Sequence, residues 1–384
     1  MSRDFTPEVI VAGAGPVGLV AALSLALAGA KVLLLEKRDA LNAASLASTI
    51  HPPTLEILDR LGALQPVLGL GQRVETIQYR TPDSIFAEFH MRDLVQDTDY
   101  PYRLHLEQAL ITPVMLERLR SLANARVAFG CGVTGVAQHG DSVTVTLADG
   151  TDVSAPHLIA ADGSRSAIRE ALGIGFDGVE YPDKILRLLT TDDLDALLPG
   201  IAPLTYLYNG ARSISFLRMA DCWRIILRVP KEVTESEAMD DGWILSRFRA
   251  VLPGLARLPE VAGMDVYGAS RRVASGFQRG RVVLVGDAAH VTSTRGGMNM
   301  NCGIYDAAAI AAALPSGPVA LAAAVAERER VAHDMLIPRT DRSVSGGAAW
   351  ADALRETARS PERSVAYLRT AAMLDMAPRA LAHV

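Results

Sequence analysis

Val9-Ile10-Val11-Ala12-Gly13-Ala14-Gly15-Pro16-Val17-Gly18 is the stretch on which the fold turns. Its first four residues have the pattern of a short buried strand. After the glycines, residues 19–28 form an apolar helix pattern closed by Gly29. The order is strand, tight turn, helix. Gly13 permits the turn, and Gly15 lets backbone approach a pyrophosphate. Gly18 lets the helix lie close to the sheet while its N-terminus faces the anion, with Pro16 and Val17 in its first turn. A second strand, Lys31-Val32-Leu33-Leu34-Leu35, ends at Glu36-Lys37. An acid about 20 positions beyond the glycines can accept hydrogen bonds from a ribose, which completes a dinucleotide pattern. A bare glycine motif is weak; the strand, helix and acid around it set aside a chance match.

Two later segments repeat the logic of a strand ending at a glycine-aspartate pair. His157-Leu158-Ile159-Ala160 leads into Ala161-Asp162-Gly163, and Arg281-Val282-Val283-Leu284-Val285 leads into Gly286-Asp287-Ala288-Ala289-His290. Asp287 thus stands where an open α/β sheet presents its ligand crevice, and its carboxylate can bind a sugar hydroxyl. Beyond it, Gly296-Gly297-Met298-Asn299-Met300-Asn301-Cys302-Gly303 precedes an apolar helix expected from about Ile304. Backbone amides there, backed by the positive helix end, can stabilise negative charge.

The sequence has 384 residues, 49% hydrophobic and 21% charged, enough for a globular core in one large or two modest domains. Its 38 basic against 43 acidic residues give a net charge of −5, which offers no general attraction to nucleic acid or an anionic membrane. Cys131, Cys222 and Cys302 are too few and dispersed for a disulfide framework or a zinc cluster, and no acidic run has metal-ligand spacing. No metal is expected. No basic segment with a cleavage site precedes the first strand, and the helix at 19–28 is too short for a bilayer. The expected location is the cytoplasm. The alanine-rich stretch 307–326 is broken by Pro315-Ser316-Gly317-Pro318 and predicts two packed helices.

Along the chain, a helix is expected from Thr54 to its stop at Gly62, strands flank Thr81-Pro82-Asp83-Ser84, and a helix runs to Arg120. Strands cross 126–160, with a hairpin turn at Ala148-Asp149-Gly150-Thr151. From about 179 to 270 the pattern changes to alternating strands, with one helix at 241–252. The fold class is α/β: a Rossmann-like dinucleotide domain with an inserted, β-sheet-rich second domain. The first takes residues 1–75, 101–178 and 270–384; the second takes 76–100 and 179–269.

With these motifs in order, the chain resembles the single-component, FAD-dependent aromatic hydroxylases, the para-hydroxybenzoate hydroxylase-like flavoprotein monooxygenases. The resemblance is carried by the first glycine motif with Glu36, the 48–56 segment, Glu107-Gln108, Asp162-Gly163-Ser164-Arg165-Ser166, and Gly286-Asp287 with the 296–303 run. It implies that Gly13, Gly15, Gly18 and Glu36 hold the ADP part of FAD, that Gln108 contacts the cofactor, and that Asp162 and Gly163 line the pyrophosphate and nicotinamide approach. Asp287 would bind the ribityl chain, with Gly297, Met298 and Asn299 around the flavin and the amides of Met300 and Asn301 near its pyrimidine ring. The implied reaction reduces FAD with NADH or NADPH, adds O2 to form a C4a-hydroperoxide and hydroxylates a small aromatic or quinone-like substrate. Four positions depart from the family's usual residues. Leu46 stands for an arginine, Ala160 for a glycine, Thr294 for a proline and Asn299 for a glycine. Losing a guanidinium near the FAD phosphates predicts weak FAD retention, which Leu46→Arg should reverse in a flavin titration.

For the reaction itself the candidates are Arg295, as a cation at the flavin edge, and His290, as a base. Against them stand a solvated loop arginine and a histidine that only supports its turn. His51 reads as structural. Tyr206, Tyr208 and Arg212 are the candidate substrate contacts. Alternation puts the two tyrosines on one face, but cannot say which face points inward. A hydrolase is disfavoured, because no Ser-His-Asp arrangement can be inferred. The rivals are a flavin oxidase, reductase or tailoring enzyme, and a nonenzymatic FAD-binding protein. A homodimer is compatible with everything above.

Overall fold

A computed structural model describes residues 5–44, 47–210, 212–341 and 348–378. The opening strand forms as Val9–Ala12 and the helix after it as Pro16–Leu27. Val9–Ala12 lies inside a six-stranded sheet in the order Gln278–Arg279, Val282–Leu284, His157–Ala160, Val9–Ala12, Val32–Leu35, Ala125–Ala128. The last five strands are mutually parallel. Helices cover such a sheet on both faces, so its strands are apolar throughout rather than alternating, and Val9–Ala12 and Val32–Leu35 are buried at every position. Pro16–Leu27 packs against Met298–Ala313 and Gln108–Arg120, gathering the N-terminal, middle and C-terminal parts of the chain around one core.

A second sheet has seven strands in the order Gly263–Tyr267, Lys184–Thr190, Trp223–Val229, Arg212–Arg218, Leu204–Asn209, Thr76–Arg80, Ile85–His90. Neighbours are antiparallel except Leu204–Asn209 beside Thr76–Arg80. One face carries Leu186, Leu188, Leu207, Ile214, Phe216 and Ile225 and is closed by the helix Asp241–Val251. The other face meets the first lobe. Arg224, almost wholly buried, reaches across to Glu107 and to the Ser48 hydroxyl at 2.7 Å, and His105 Nδ1 lies 2.9 Å from the Arg218 carbonyl oxygen.

Two expectations change. The helix expected from about Ile304 starts at Met298, because Asn299 and Asn301 in its first turns satisfy their amides with tertiary partners and interrupt the apolar period without breaking the helix. The helices Ala348–Arg359 and Pro361–Ala371 lie in the range assigned to the first domain, yet they cover the second sheet. Trp350, Leu354, Val365 and Leu368 pack over Phe86 and Phe89, the apolar end of that sheet that would otherwise face water. Among the described residues no helix is long and apolar enough to cross a membrane.

Candidate cofactor and active site

The first glycine turn is held by contact rather than by composition. A Cβ on Gly13, whose φ is 105°, would stand 2.3 Å from the Ala161 carbonyl oxygen, and one on Gly18 would stand 1.9 Å from the Gly13 carbonyl oxygen. Gly15 differs. Its backbone (φ −71°, ψ 175°) suits any residue and no atom lies within 4 Å of a Cβ there, so a side chain would only fill the space ahead of the helix. That helix starts without a side-chain cap and without an acid in its first turn, leaving the amides of Gly15, Val17 and Gly18 as open donors; Pro16 has none to offer. Glu36 is buried at the end of the second strand, accepting from Ala14 N at 2.7 Å and Arg38 N at 3.0 Å, while Lys37 is exposed beside it.

Gln108 is buried at the start of its helix, and its backbone N–H donates to the Ala47 carbonyl at 3.0 Å. Leu46 lies outside the described residues. Asp162 accepts from Ile168 N at 3.3 Å through one oxygen; the other is buried with no partner in the protein, and burial raises the carboxyl pKa. Gly163 beside it takes the left-handed conformation at φ 88° in open space. An uncapped helix end, a cleared space at Gly15 and an orphaned acceptor at Asp162 fit a diphosphate ligand with sugar hydroxyls.

The floor of the cleft is built the same way. A Cβ on Gly303 would lie 2.8 Å from Gly286 Cα and 2.9 Å from a Val17 methyl, which brings the helix Met298–Ala313 hard against the Gly286 turn. Gly297 is left-handed, the helix lacks a side-chain cap, and the amides of Met298, Asn299 and Met300 face out from its first turn. Asp287 is exposed and accepts from Asn299 Nδ2 at 2.8 Å; desolvation by its surroundings raises its pKa against the opposing pull of His290 and Asn299. Asn301, fully buried, clasps the 49–54 segment. Its oxygen accepts from His51 N at 3.0 Å and Thr54 Oγ1 at 2.7 Å, and its amide donates to the carbonyls of Thr49 at 2.8 Å and Gly297 at 2.7 Å. His51 is buried, with Nε2 2.9 Å from the Gly296 carbonyl oxygen; burial first and Arg103 second hold its pKa well below the usual value.

His290 is corrected from a candidate base to an internal ion. It is fully buried, with Nε2 2.7 Å from Asp306 and Nδ1 3.1 Å from the Asn299 carboxamide oxygen, so neither nitrogen is free for a substrate. Burial is the largest single influence and opposes its charge, but Asp306 and, behind it, Cys302 together outweigh burial and hold its pKa well above the usual value. Asp306 is shared with Arg328, whose Nε lies 2.7 Å away and whose Nη1 donates to the Met376 carbonyl at 2.8 Å. These two partners escaped the sequence reading. Asp306 had left a sign, a lone acid in an otherwise apolar helical run; Arg328 left none, since its helix carries other charges.

The roof is the second sheet. Register aligns Asp265, Arg187, Ile226, Ser215, Tyr206 and Tyr79 in one row, and the next row contains Tyr267, Ile185 and Arg228 on one side and Ser213 with Tyr208 on the other. Tyr79 stacks on Tyr206 at 5.1 Å and on Tyr208 at 6.4 Å, and the Trp350 ring leans on Tyr208 at 4.8 Å. The loop at 294–295 lies by this wall: Arg295 acts electrostatically on Tyr208, opposing the upward shift that burial gives that phenol. Burial first and Arg228 second lower the pKa of Arg295, so two guanidiniums bear on one partly enclosed space. Tyr206, Tyr208 and Arg295 are therefore brought together. Arg212 is not: strand alternation turns it to the opposite face, where it is exposed.

The family described as an FAD binding domain matches residues 6–336. A para-nitrophenol 4-monooxygenase from Pseudomonas sp. (strain WBC-3) is 33% identical over 315 residues, spanning 80% of this chain and 77% of that protein. A 6-hydroxy-3-succinoylpyridine 3-monooxygenase from Pseudomonas putida (strain DSM 28022 / S16) is 32% identical over 314 residues, spanning 80% of this chain and 79% of that protein. The crystal structure of p-nitrophenol 4-monooxygenase from Pseudomonas putida DLL-E4 superposes with a TM-score of 0.86 at 27% identity, covering 97% of this chain and 99% of that one.

Proposed function

The chain belongs to the FAD binding domain family, and from that premise we propose that it is a monooxygenase hydroxylating a small aromatic or quinone-like compound with NADH or NADPH and O2. The redox chemistry would come from bound FAD: two electrons from the nicotinamide and one O2 per turnover, one oxygen atom entering the ring and the other leaving as water. The chain's own residues hold and orient. The amides of Gly15, Val17 and Gly18 would take the pyrophosphate and Glu36 the adenosine ribose. Gln108, Asp162 and Gly163 would border the diphosphate, and Asp287 would accept from the ribityl chain. The first-turn amides of Met298, Asn299 and Met300 would face the isoalloxazine, where negative charge develops on reduction.

The substrate would lie between that helix end and the tyrosine face of the second sheet. Tyr79, Tyr206, Tyr208 and Trp350 exclude water on one side. Arg295 on the 294–295 loop and Arg228 on the sheet itself supply positive charge, suited to a phenolate or another acidic aromatic. Ring hydroxylation by an electrophilic oxygen is faster on an electron-rich, deprotonated ring. Residues 76–100 and 179–269 act here as the substrate domain. Free Cys131, Cys222 and Cys302 accord with a reducing cytoplasm.

The observation that carries this reading is the meeting of two surfaces. Arg295, just ahead of the uncapped helix end beside which Asp287 is exposed, interacts electrostatically with Tyr79, Tyr206 and Tyr208 of the second sheet. Anaerobic titration of the FAD-loaded protein with NADH and NADPH, across a panel of phenols, nitrophenols and hydroxypyridines, tests it. Bleaching of the flavin accelerated by one ligand class supports the hydroxylase. A flavin that neither nicotinamide reduces, with every ligand tried, supports a non-redox role.

A further inference from the structure

We propose that Asn299 is a positioning residue that couples the charge on His290 to the orientation of Asp287, and so sets the affinity for the flavin's ribityl chain. The inference rests on the reading above that Asp287 accepts from that chain. Asn299 Nδ2 donates to Asp287 Oδ1 at 2.8 Å, and its Oδ1 lies 3.1 Å from His290 Nδ1. The side chain is thereby folded back between two residues of the preceding turn, clear of the space ahead of its helix.

A carboxamide has one donating end and one accepting end, which makes this bridge proton-selective. With Asp287 ionised, the amide group must face it, so the carboxamide oxygen faces His290 and Nδ1 must carry a hydrogen. Nε2 must carry one too, because Asp306 is an acceptor paired with Arg328. His290 is then an imidazolium. Turning the amide around gives a second satisfied arrangement, in which a protonated Asp287 donates to the oxygen and a neutral His290 accepts from the amide. Both arrangements share a single proton between Asp287 and His290 Nδ1. Add one, or remove one, and a bond of the bridge is lost.

The surroundings select the charge-separated form. Asp306 and the Cys302 thiol face His290 from the helix Met298–Ala313, Arg328 stands behind Asp306, Asp287 lies in the adjoining turn, and the Phe277 ring packs at 6.0 Å. The buried acid favours the imidazolium, while Asp287 keeps its charge at a water-exposed tip. Asp287 is left with one lone pair committed to Asn299 and its remaining acceptor capacity turned to the cleft. On acidification it takes up a proton, at a pH above the ordinary carboxyl value, and ceases to accept. On alkalinisation His290 loses its proton well above the ordinary imidazole value; its bare Nδ1 then confronts the oxygen of Asn299 and drives the amide away from Asp287. FAD affinity should hold a plateau between these two limits and fall on both sides.

The test is a set of FAD titrations, read by flavin fluorescence, on the full-length wild type, Asn299→Gly and Asn299→Leu, from about pH 5 to about pH 10. ADP is titrated in parallel, because it reports the distant half of the cradle. Expected on the plateau is about tenfold weaker FAD binding by both variants, the scale of one hydrogen bond to a charged group. Their alkaline limb should be absent and their ADP affinity unchanged. Variants that match the wild type at every pH would overturn the proposal. So would ADP affinity that falls in step with FAD affinity, which would indicate a damaged fold. A wild type that takes up no FAD at any pH would overturn the cofactor reading along with it.

Discussion

Asp306→Asn tests the buried cluster on which the cleft floor stands. Asp306 and Arg328 are each 1% exposed and His290 is 0% exposed, with Asp306 serving both cations at 2.7 Å. The substitution keeps the shape and removes the carboxylate that both cations share. Arg328 cannot shed its proton, so an uncompensated buried charge remains, which costs about 3–5 kcal/mol. His290 responds differently, by discharging. In the wild type its raised pKa contributes stability that is complete below about pH 6.5 and is lost as pH rises through the folded value. Asp306, whose pKa is held low by His290 and Arg328 against burial, contributes above about pH 3.9 and loses that contribution as pH falls through its folded value. In the variant burial is no longer offset by a carboxylate in contact with His290, so its folded pKa falls and the stability that the raised value contributed at low pH is lost, which flattens or reverses the slope below about pH 6.5. Urea unfolding followed by circular dichroism across this range should show the large loss and the changed slope. A loss under about 1 kcal/mol, or a wild-type pH profile, would refute the reasoning.

Two glycines of the first turn should part company. Gly18→Ala puts a methyl 1.9 Å from a backbone oxygen and should yield little folded protein, whereas Gly15→Ala has open space around it and should fold normally while binding ADP at least about tenfold more weakly. Size-exclusion chromatography and ADP titration separate the two outcomes. Arg295→Gln should raise KM for an acidic aromatic by about tenfold or more and leave FAD affinity unchanged, as steady-state kinetics and flavin titration will show. Trp350→Ala removes a ring resting on Tyr208, Tyr79 and Phe86 and should destabilise the protein by about 2 kcal/mol, measured by urea unfolding.

The first sheet was legible because its signals are local. Val9–Ala12, the glycine turn and Glu36 sit within one βαβ unit, and their spacing is itself the geometry. The strand-end position of Asp287 followed from the same rule. Tyr206 and Tyr208 were paired correctly on one face by alternation, yet only the register against Thr76–Arg80 and the approach of Arg295 show which way that face points. Arg212 failed on parity, one residue out of step with Ser213. His290, Asp306 and Arg328 come from a strand and two helices, and a triad assembled by packing leaves no period in the sequence. Trp350 was hidden for a related reason: its helix has apolar spacing, but nothing local says that its partner is a sheet formed more than a hundred residues earlier.

Oxygen-isotope labelling puts the central claim to its most direct test. Turnover of the FAD-loaded protein with NAD(P)H and the aromatic that best accelerates flavin reduction, under 18O2, should give a product heavier by one 18O atom. Product that carries oxygen only from water, or peroxide formed with no change in the ring, would contradict the account.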